Sequence, residues 1–348
     1  MTRNGLTRRS VLTAAALLPL TRFASAQSGQ VVATAFPGPY EEAARRLPGV
    51  AFAKATGAQA LIQPVLAQEA MGRVLAAKSG KPPYDVVILD EATYLKSLKD
   101  DVFEKIDPAK VPNLQDIASG FGDERGVGAF VAAHVIGIAY NPTTVKEAPT
   151  SWEDLWKPEY KGRVGITNLN SGLGTAFLAE INRLRGGSVE NFDRGFAAMK
   201  ELLPNIAAIA ANPGALATLF QQGEIDIAFN FLSAVEPLRQ RGVDIAFARP
   251  KEGYILLRNS MHIIKGTTVP DLAAAYLNAN LDPAVQAAMG QNPYVVFPTN
   301  RKVPFGPDLS PYAKDQDDLV KNNVITDWAT INPQRPGLIE RFNREIHQ

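Results

Sequence analysis

The chain contains no cysteine, and its 348 residues include only three histidines, His134, His262 and His347. Without thiols it can form neither a disulfide nor a thiolate metal site. Three histidines spread along the chain also make a metal cluster hard to build. His134 and His262 each lie inside an apolar run typical of a strand, which favours packing over catalysis. The sequence therefore predicts no metal site and no cofactor.

Common enzyme signatures are also missing. The chain has no H-E-x-x-H, G-x-S-x-G or P-loop pattern, and Gly172-Leu173-Gly174 is only a fragment of a dinucleotide-binding fingerprint. The formal net charge is +1, and it becomes −3 without residues 1–26, which carry four arginines and no acid. A nearly neutral chain of this kind does not suggest a nucleic-acid partner. We therefore predict no catalytic residue and no binding to nucleic acid.

No run of about eighteen apolar residues is present, so no membrane-spanning helix is expected. The ten-residue apolar stretch Val11–Leu20 follows three arginines and precedes the small residues Ala24-Ser25-Ala26. This pattern predicts a signal peptide over residues 1–26, cleavage before Gln27 and a soluble periplasmic product. Residues 7–12, Thr-Arg-Arg-Ser-Val-Leu, also look like a twin-arginine export signal, and the general export route stays open.

What the chain does have is a regular alternation of apolar runs and helix-period segments. A helix is expected from about Tyr40 and another over Gln68–Ser79. Such alternation predicts an α/β fold of parallel sheets covered by helices, with ligands at the carboxyl ends of strands. Strands are predicted at Val31–Phe36, Gln59–Pro64, Tyr84–Leu89, Phe130–Tyr140, Asp226–Phe231 and Val243–Ala248.

Three patterns mark predicted helix starts. Thr150 with Glu153 and Ser233 with Glu236 have the spacing of a capping box, in which side chains and backbone amides pair reciprocally. Asn212 precedes Pro213, a residue that is favoured in the first turn of a helix.

Residues 150–165, Thr-Ser-Trp-Glu-Asp-Leu-Trp-Lys-Pro-Glu-Tyr-Lys-Gly-Arg-Val-Gly, closely resemble a segment of the polyamine (spermidine/putrescine)-type solute-binding proteins of bacterial ABC importers. Weaker matches run in the family's order from about residue 30 to residue 305. They are Phe36–Ala43, Tyr84–Val87, Gly223–Asp226, Pro250–Gly253 and Pro298–Asn300. The resemblance implies a two-lobed type II periplasmic binding protein fold, with hinge strands near residues 135–140 and 259–264.

The resemblance also implies how the chain is divided. The N-terminal lobe would comprise residues 27–135 and 262–305, and the C-terminal lobe residues 136–261. Residues 306–348 would form a helical segment that packs on the lobes. A monomer of this kind would capture a small nitrogen-containing solute and deliver it to the permease subunits of an ABC importer.

Other functions of the same fold stay open. A ferric-iron or thiamine-type binding protein is one alternative, and an enzyme is another. Ferric-binding relatives use neighbouring tyrosines, and this chain has no Tyr-Tyr pair.

Two candidate binding features follow from the residues themselves. Asp90 and Glu91 directly follow a predicted strand, where carboxylates are well placed for a ligand ammonium group, although either could merely cap a helix. Ser171 and Gly172 open the helical run Ala176–Leu184, and a helix N-terminus suits an anionic group. Here too the alternative is that Ser171 only caps the helix.

The resemblance adds further candidates. It places an aromatic wall at the end of the first strand, a pocket aromatic near residues 229–231 with a register uncertain by one residue, and a closing loop. Core packing is the alternative for the aromatics. The candidates are Phe36, Gly38, Tyr40, Phe229, Asn230 and Thr299.

One stretch departs from the polyamine pattern. The family reads Glu-Gly-Gly-x-x-Trp-x-Asp-Ser where this chain has residues 252–260, so Leu257 replaces the stacking tryptophan and Asn259 the amine-pairing aspartate. Both changes weaken recognition of a polyamine, because cations stack on ring faces and pair with carboxylates. With Ser171 available to an anion, an amino-carboxylate ligand is therefore predicted to bind more tightly than putrescine or spermidine. Arg258 should face away from Asn259, into solvent or a packed ion pair.

Overall fold

The computed structural model describes residues 29–77 and 80–347. The predicted signal peptide, its cleavage site and the twin-arginine pattern lie outside these residues, as does Ser79 at the end of one predicted helix. No helix in the described ranges combines the length and the apolar character that a bilayer crossing requires.

The strands of the described residues form one mixed sheet in the order β2-β1-β3-β9-β4-β7-β5-β6, with β10 paired to β9 and β8 to β4. They are β1 (Gln30–Ala35), β2 (Gln59–Pro64), β3 (Val86–Asp90), β4 (Ala129–Tyr140), β5 (Val164–Thr167), β6 (Ile206–Ala210), β7 (Ile227–Phe231), β8 (Ala246–Ala248), β9 (Ile255–Ile263) and β10 (Val324–Ile325). All six strand predictions are confirmed, with ends that differ by up to three residues.

The α-helices lie between these strands and at the C-terminal end of the described chain. They are α1 (Pro39–Arg46), α2 (Pro48–Thr56), α3 (Ala67–Ala76), α4 (Glu91–Ser97), α5 (Gly172–Leu184), α6 (Asp193–Leu202), α7 (Pro213–Gln222), α8 (Leu232–Gln240), α9 (Pro270–Asn280), α10 (Pro283–Met289), α11 (Gln316–Lys321), α12 (Trp328–Ile331) and α13 (Arg335–Glu345).

Two long antiparallel strands connect the halves of the sheet. In the first lobe β1 lies parallel to β2 and β3, and in the second lobe β5 lies parallel to β6 and β7. The twelve-residue strand β4 pairs with β9 over residues 129–136 and with β7 over residues 136–140. Strand β9 continues into the first lobe, where residues 259–263 pair with β3. The chain therefore passes between two α/β lobes on adjacent strands.

Each lobe has an apolar core on its own part of the sheet. In the second lobe Phe177 stacks on Phe229 with ring centroids 3.9 Å apart, beside the fully buried Trp152. The C-terminal segment completes this core with Trp328 of α12 and Phe342 of α13. Burying side chains of this size contributes roughly 1.5–3 kcal/mol each, so α12 and α13 are firmly attached to the second lobe.

The helix-start predictions have three different outcomes. The cap at Asn212 is confirmed, since its side chain accepts a hydrogen bond from the Ala215 amide at 2.9 Å. The capping box expected at Thr150 lies one residue later, at Ser151 and Asp154, and starts a 3-10 helix. The shift arises because the Thr150 carbonyl is tied to the Lys251 amide at 2.7 Å.

The box expected at Ser233 is wrong. Helix α8 begins at Leu232 without a side-chain cap, so Ser233 already lies in its first turn. Its intended partner Glu236 pairs with Arg239 at 2.8 Å instead.

His262 has the packed role that its apolar surroundings predicted. The ring is fully buried and lies 4.3 Å from the Tyr94 ring between centroids. Nδ1 lies 3.0 Å from the Val127 carbonyl, and Nε2 lies 2.7 Å from Ser260 Oγ. Because a carbonyl can only accept, Nδ1 carries the proton and Nε2 accepts from the serine. Burial lowers the pKa of His262 to about 4.

This burial makes stability depend on pH. An unfolded histidine titrates near 6.5, so between about pH 6.5 and pH 4 the unfolded chain binds the proton more readily than the folded chain. The contribution of the neutral His262 to the free energy of unfolding is fully present above this window and is lost as the pH falls through it. The loss is about 2 kcal/mol between pH 7 and pH 5. Urea unfolding should show a smaller loss over that range for His262→Gln. An identical slope in the variant would contradict the linkage.

Candidate functional site

The floor of the candidate site is a strip of side chains where β3, β4 and β9 run side by side. Asn259 of β9 is paired with Asp90 at the end of β3, and Leu257 is paired with His134 of β4. Residues directly opposite each other in antiparallel strands project from the same face. Because Leu257 and Asn259 are two residues apart, all four side chains share one face of the sheet. This strip lies where the chain passes between the lobes.

Two polar side chains of the floor have no hydrogen-bond partner among the described residues. Asn259 is only 8% exposed, yet its side-chain amide makes no hydrogen bond to the described chain. The ring nitrogens of the partly buried His134 also make none. Burial lowers the pKa of His134 to about 4, so the neutral ring offers one donor and one acceptor at neutral pH. The floor can therefore bind a polar ligand without first breaking internal hydrogen bonds.

Asp90 is the anionic group of this floor. Its carboxylate caps α4, accepting hydrogen bonds from the Thr93 amide and the Thr93 hydroxyl, each at 2.9 Å. Each carboxylate oxygen accepts one of these bonds, which leaves lone pairs for another donor. The side chain is partly exposed. Asp90 therefore caps a helix and can pair with a cation at the same time.

A chain of ring contacts forms one wall and extends from lobe to lobe. Phe36 meets Tyr40 edge-to-face with centroids 5.7 Å apart, and Tyr40 lies 6.4 Å from His134. On the other side His134 lies 6.1 Å from Phe231, at the end of β7. The Tyr40 hydroxyl is buried and has no hydrogen-bond partner among the described residues, and burial raises its pKa, so the phenol stays neutral. These rings line the floor with apolar and aromatic surface.

The second lobe contributes the start of helix α5. Ser171 Oγ accepts a hydrogen bond from the Leu173 amide at 3.3 Å, and the Ser171 carbonyl accepts one from the Thr175 amide. The amides of Gly172 and Gly174 have no partner among the described residues. Together with the positive end of the helix dipole, these free donors favour an anion. The predicted capping role of Ser171 is confirmed, and it leaves the helix end able to bind an anion.

The two glycines of this turn should respond differently to alanine. A Cβ on Gly174 would lie 2.4 Å from the Asn168 carbonyl oxygen, whereas one on Gly172 meets nothing within 4 Å. We expect Gly174→Ala to displace the loop before α5 and to cost about 1–3 kcal/mol of stability. Gly172→Ala should stay within about 1 kcal/mol of the parent. Thermal unfolding of both variants is the measurement, and equal melting temperatures would contradict the assigned packing.

Arg335, the first residue of α13, joins this part of the site from the C-terminal segment. It is 8% exposed, and its Nη2 donates to the carbonyls of Leu169 and Asn170 at 3.2 and 3.0 Å. Burial lowers its pKa, and the Asp90 carboxylate opposes that shift. The guanidinium therefore lies within electrostatic range of the floor. The sequence gives no sign of this role for Arg335, because nothing near it in the chain suggests a contact with residues 169–170.

The structure brings together most, but not all, of the predicted site residues. Phe36, Tyr40, Asp90 and Asn259 form the floor and its wall, while Ser171 and Gly172 start α5. Gly38 is exposed before α1 with φ 96°, a conformation suited to glycine. Six of the predicted residues thus lie either in the floor and its wall or in the first turn of α5.

Three predicted residues lie in the packed interior instead. Phe229 belongs to the core of the second lobe, and Phe231 is the aromatic that reaches the wall. The Asn230 amide is buried and donates to the Pro213 carbonyl at 3.3 Å. Thr299 is fully buried against Gln286, which donates to its hydroxyl at 3.2 Å. Residues 229 and 231 share a face of β7, but Phe229 lies within the core of the second lobe, whereas Phe231 stands at the end of the strand beside His134.

Glu91 forms an ion pair with Arg258. Its two carboxylate oxygens accept from Nε and Nη2 of Arg258, the former at 3.0 Å, and the Arg258 guanidinium also lies 4.6 Å from the Phe130 ring centroid. Arg258 thus forms the packed ion pair that the strand alternation allowed. Because this pair neutralises Glu91, Asp90 is the carboxylate of the candidate site that stays free to pair with a cation.

Two cavities of the described structure lie away from this group of residues. One of about 260 Å³ lies between α5 and the segment around β10 and α12, and one of about 570 Å³ lies beside α2 and α10. Neither is lined by Asp90, His134, Asn259 or Ser171. We assign the site from the convergence of unpaired polar groups, because a cavity without such groups offers little specificity.

Two α/β lobes joined by adjacent strands, with unpaired polar and aromatic side chains between them, define a two-lobed binding protein of the type II periplasmic class. The model of the family "bacterial extracellular solute-binding protein" matches residues 81–320. The chain therefore belongs to that family and is an extracellular solute-binding protein.

Relatives of known description agree with this assignment. The chain is 25% identical to the gamma-aminobutyric acid-binding protein of Pseudomonas aeruginosa over 82% of its own length and 78% of the relative's. It is 26% identical to the spermidine/putrescine-binding periplasmic protein of Escherichia coli over 71% and 72% of the two chains. A crystal structure of an extracellular solute-binding protein from Bordetella parapertussis superposes with a TM-score of 0.78, at 22% identity, covering 91% and 98% of the chains.

Proposed function

We propose that this protein captures a small amino-carboxylate between its lobes and delivers it to the permease of an ABC importer. The observation that carries the proposal is that one side of the site favours a positive charge and the other side favours a negative charge. Asp90 on the first lobe suits an ammonium group, and the start of α5 on the second lobe suits a carboxylate. A relative that is described as binding gamma-aminobutyric acid supports this ligand class.

The same residues disfavour a polyamine. A diamine carries a cation at each end, so it requires an anionic partner in each half of the site. Here Arg258 neutralises Glu91, and the floor position opposite Asp90 holds the uncharged Asn259. Leu257 adds no ring for cation stacking. A polyamine would bind one end at Asp90 and leave the other near an electropositive helix start.

Binding requires only reversible closure of the lobes. A ligand held by Asp90 and by α5 contacts both lobes, so it stabilises the closed arrangement around β4 and β9. The closed complex would then be recognised by permease subunits in the inner membrane. We propose that the protein acts as a periplasmic monomer after cleavage of its signal peptide, because the family acts outside the cytoplasm.

A binding role accounts for the residues of the site, and no catalytic step is required. His134 is neutral and lies among apolar rings, and the described residues contain no group of three or more histidines, cysteines or acids that could hold a metal. Turnover of the bound ligand, measured by chromatography after prolonged incubation, would instead indicate an enzyme.

A thermal-shift panel tests the proposed ligand class. A ligand that binds only the folded chain stabilises it by RT ln(1 + [L]/Kd). We expect ω-amino acids of about three to six carbons to raise the melting temperature, and diamines of equal length to raise it less. A response to diamines, ferric iron or thiamine without any response to amino acids would overturn the proposal.

A further inference from the structure

Arg335 is the most unusual cation near the site. It is more than nine-tenths buried, yet it forms no ion pair with any described residue, and within residues 29–77 and 80–347 Nη2 bonds only to two backbone carbonyls. Its Nε is buried and has no partner in the described part of the chain, and the guanidinium lies 5.7 Å from the ring of Trp328. A buried charged group without a partner lowers the stability of the folded protein. Such a group is therefore usually paired with another residue or with a bound ligand.

Other hydrogen-bond donors close to Arg335 also lack acceptors. The carbonyls that hold it belong to Leu169 and Asn170, directly before the Ser171 cap of α5. The amides of Gly172 and Gly174 open the same turn, and they and the buried Thr167 hydroxyl at the end of β5 have no partner among the described residues. A guanidinium, two amides and a hydroxyl, each able to donate a hydrogen bond, thus lie on or against residues 167–174.

We propose that Arg335 and the first turn of α5 together form the subsite for the ligand's carboxylate. The inference rests on the proposed function and names the residue that decides between an amino acid and an amine. A guanidinium binds a carboxylate through two parallel N–H groups, and a helix start adds backbone donors. Asp90 lies within electrostatic range of Arg335 but outside ion-pair distance. A short zwitterion can therefore lie between the two charges with its ammonium group at Asp90.

The assignment gives the C-terminal segment a role in recognition. Arg335 begins α13, and its neighbour Asn332 donates to the Ala92 carbonyl of α4 at 2.7 Å, across to the first lobe. The carboxylate subsite thus lies where the two lobes and the C-terminal segment meet. A carboxylate bound there contacts a part of the chain that lies far from the other site residues in sequence.

Titration calorimetry with two ligands of equal length tests this role. The probes are 4-aminobutyrate and 1,4-diaminobutane, which have four carbons each and differ at one end, where the first has a carboxylate and the second an aminomethyl group that carries a positive charge. For Arg335→Gln we expect affinity for 4-aminobutyrate to fall about 10- to 100-fold. Affinity for the diamine should fall less than about threefold or rise. Arg341→Gln, on the same helix but paired with Asp193 and Glu345, is the matched control and should change neither value.

Ser171→Asp provides a second test that preserves folding, because aspartate caps helices as well as serine does. It places a negative charge at the subsite, so the preference should shift from 4-aminobutyrate to the diamine. Equal losses for both ligands in Arg335→Gln, or an unchanged preference in Ser171→Asp, would overturn the role of Arg335 and α5. If the parent protein itself prefers the diamine, the proposed function fails first, so the two failures are distinguishable.

Discussion

Replacing Asp90 with asparagine should weaken the binding of any amine-bearing ligand by about 100-fold, with little change in stability. The loss follows from removing a charge-assisted hydrogen bond, which contributes about 1.5–3 kcal/mol. Glu91 cannot substitute for it, because both of its carboxylate oxygens are bonded to Arg258. Asparagine still accepts the hydrogen bond from the Thr93 amide, so the cap of α4 is retained.

Calorimetry with 4-aminobutyrate on Asp90→Asn measures this loss. The matched control is Asp282→Asn, because Asp282 caps α10 in the same way and accepts from the Ala284 amide at 2.8 Å. It is not one of the floor or wall residues, so its variant should bind as the parent does. Undiminished affinity in Asp90→Asn would show that the ligand ammonium group binds elsewhere.

The Arg258–Glu91 pair should have the largest effect on stability. The two side chains are 15% and 9% exposed, and the guanidinium also donates to the Gly120 carbonyl. Removing one partner leaves a buried charge without compensation, so Arg258→Met should cost about 3–5 kcal/mol. The double variant Arg258→Met with Glu91→Leu should recover much of that loss, because neither charge remains buried.

Urea unfolding of the single and double variants measures this coupling. Arg45→Met is the control, since Arg45 pairs with Glu41 at 2.7 Å on the surface of α1, with side chains 46% and 24% exposed. Exposed pairs contribute about 1 kcal/mol or less. Similar losses for Arg258→Met and Arg45→Met would contradict the structural role that we assign to the buried pair.

The site residues that can be predicted from the sequence are those whose positions depend on the strand or helix next to them in the chain. Asp90 follows an apolar run that can only be a buried strand, so it lies at the strand's carboxyl end. Ser171 precedes a helical run after a strand, so it lies at a helix start. In both cases the position depends on neighbours within a few residues, and the structure has the same arrangement.

The parts that the sequence did not predict depend on contacts between distant segments. Which of the two carboxylates, Asp90 or Glu91, stays free of an ion pair is decided by Arg258, which lies 167 positions away from Glu91. The choice of Phe231 over Phe229 depends on the register of β7 against β4. Arg335 is placed by the packing of α13 on the second lobe, 166 positions after Leu169. No pattern of neighbouring residues encodes these long-range contacts, which form only when the chain is folded.

We expect the interlobe site to prefer a ligand with one amine and one carboxylate. Direct titration of the parent protein with 4-aminobutyrate and with 1,4-diaminobutane, by calorimetry in the same buffer, tests it most directly. We expect the amino acid to bind at least about tenfold more tightly, since only it has a partner for Asp90 at one end and for the start of α5 at the other. Tighter binding of the diamine, with no heat from the amino acid, would contradict the account.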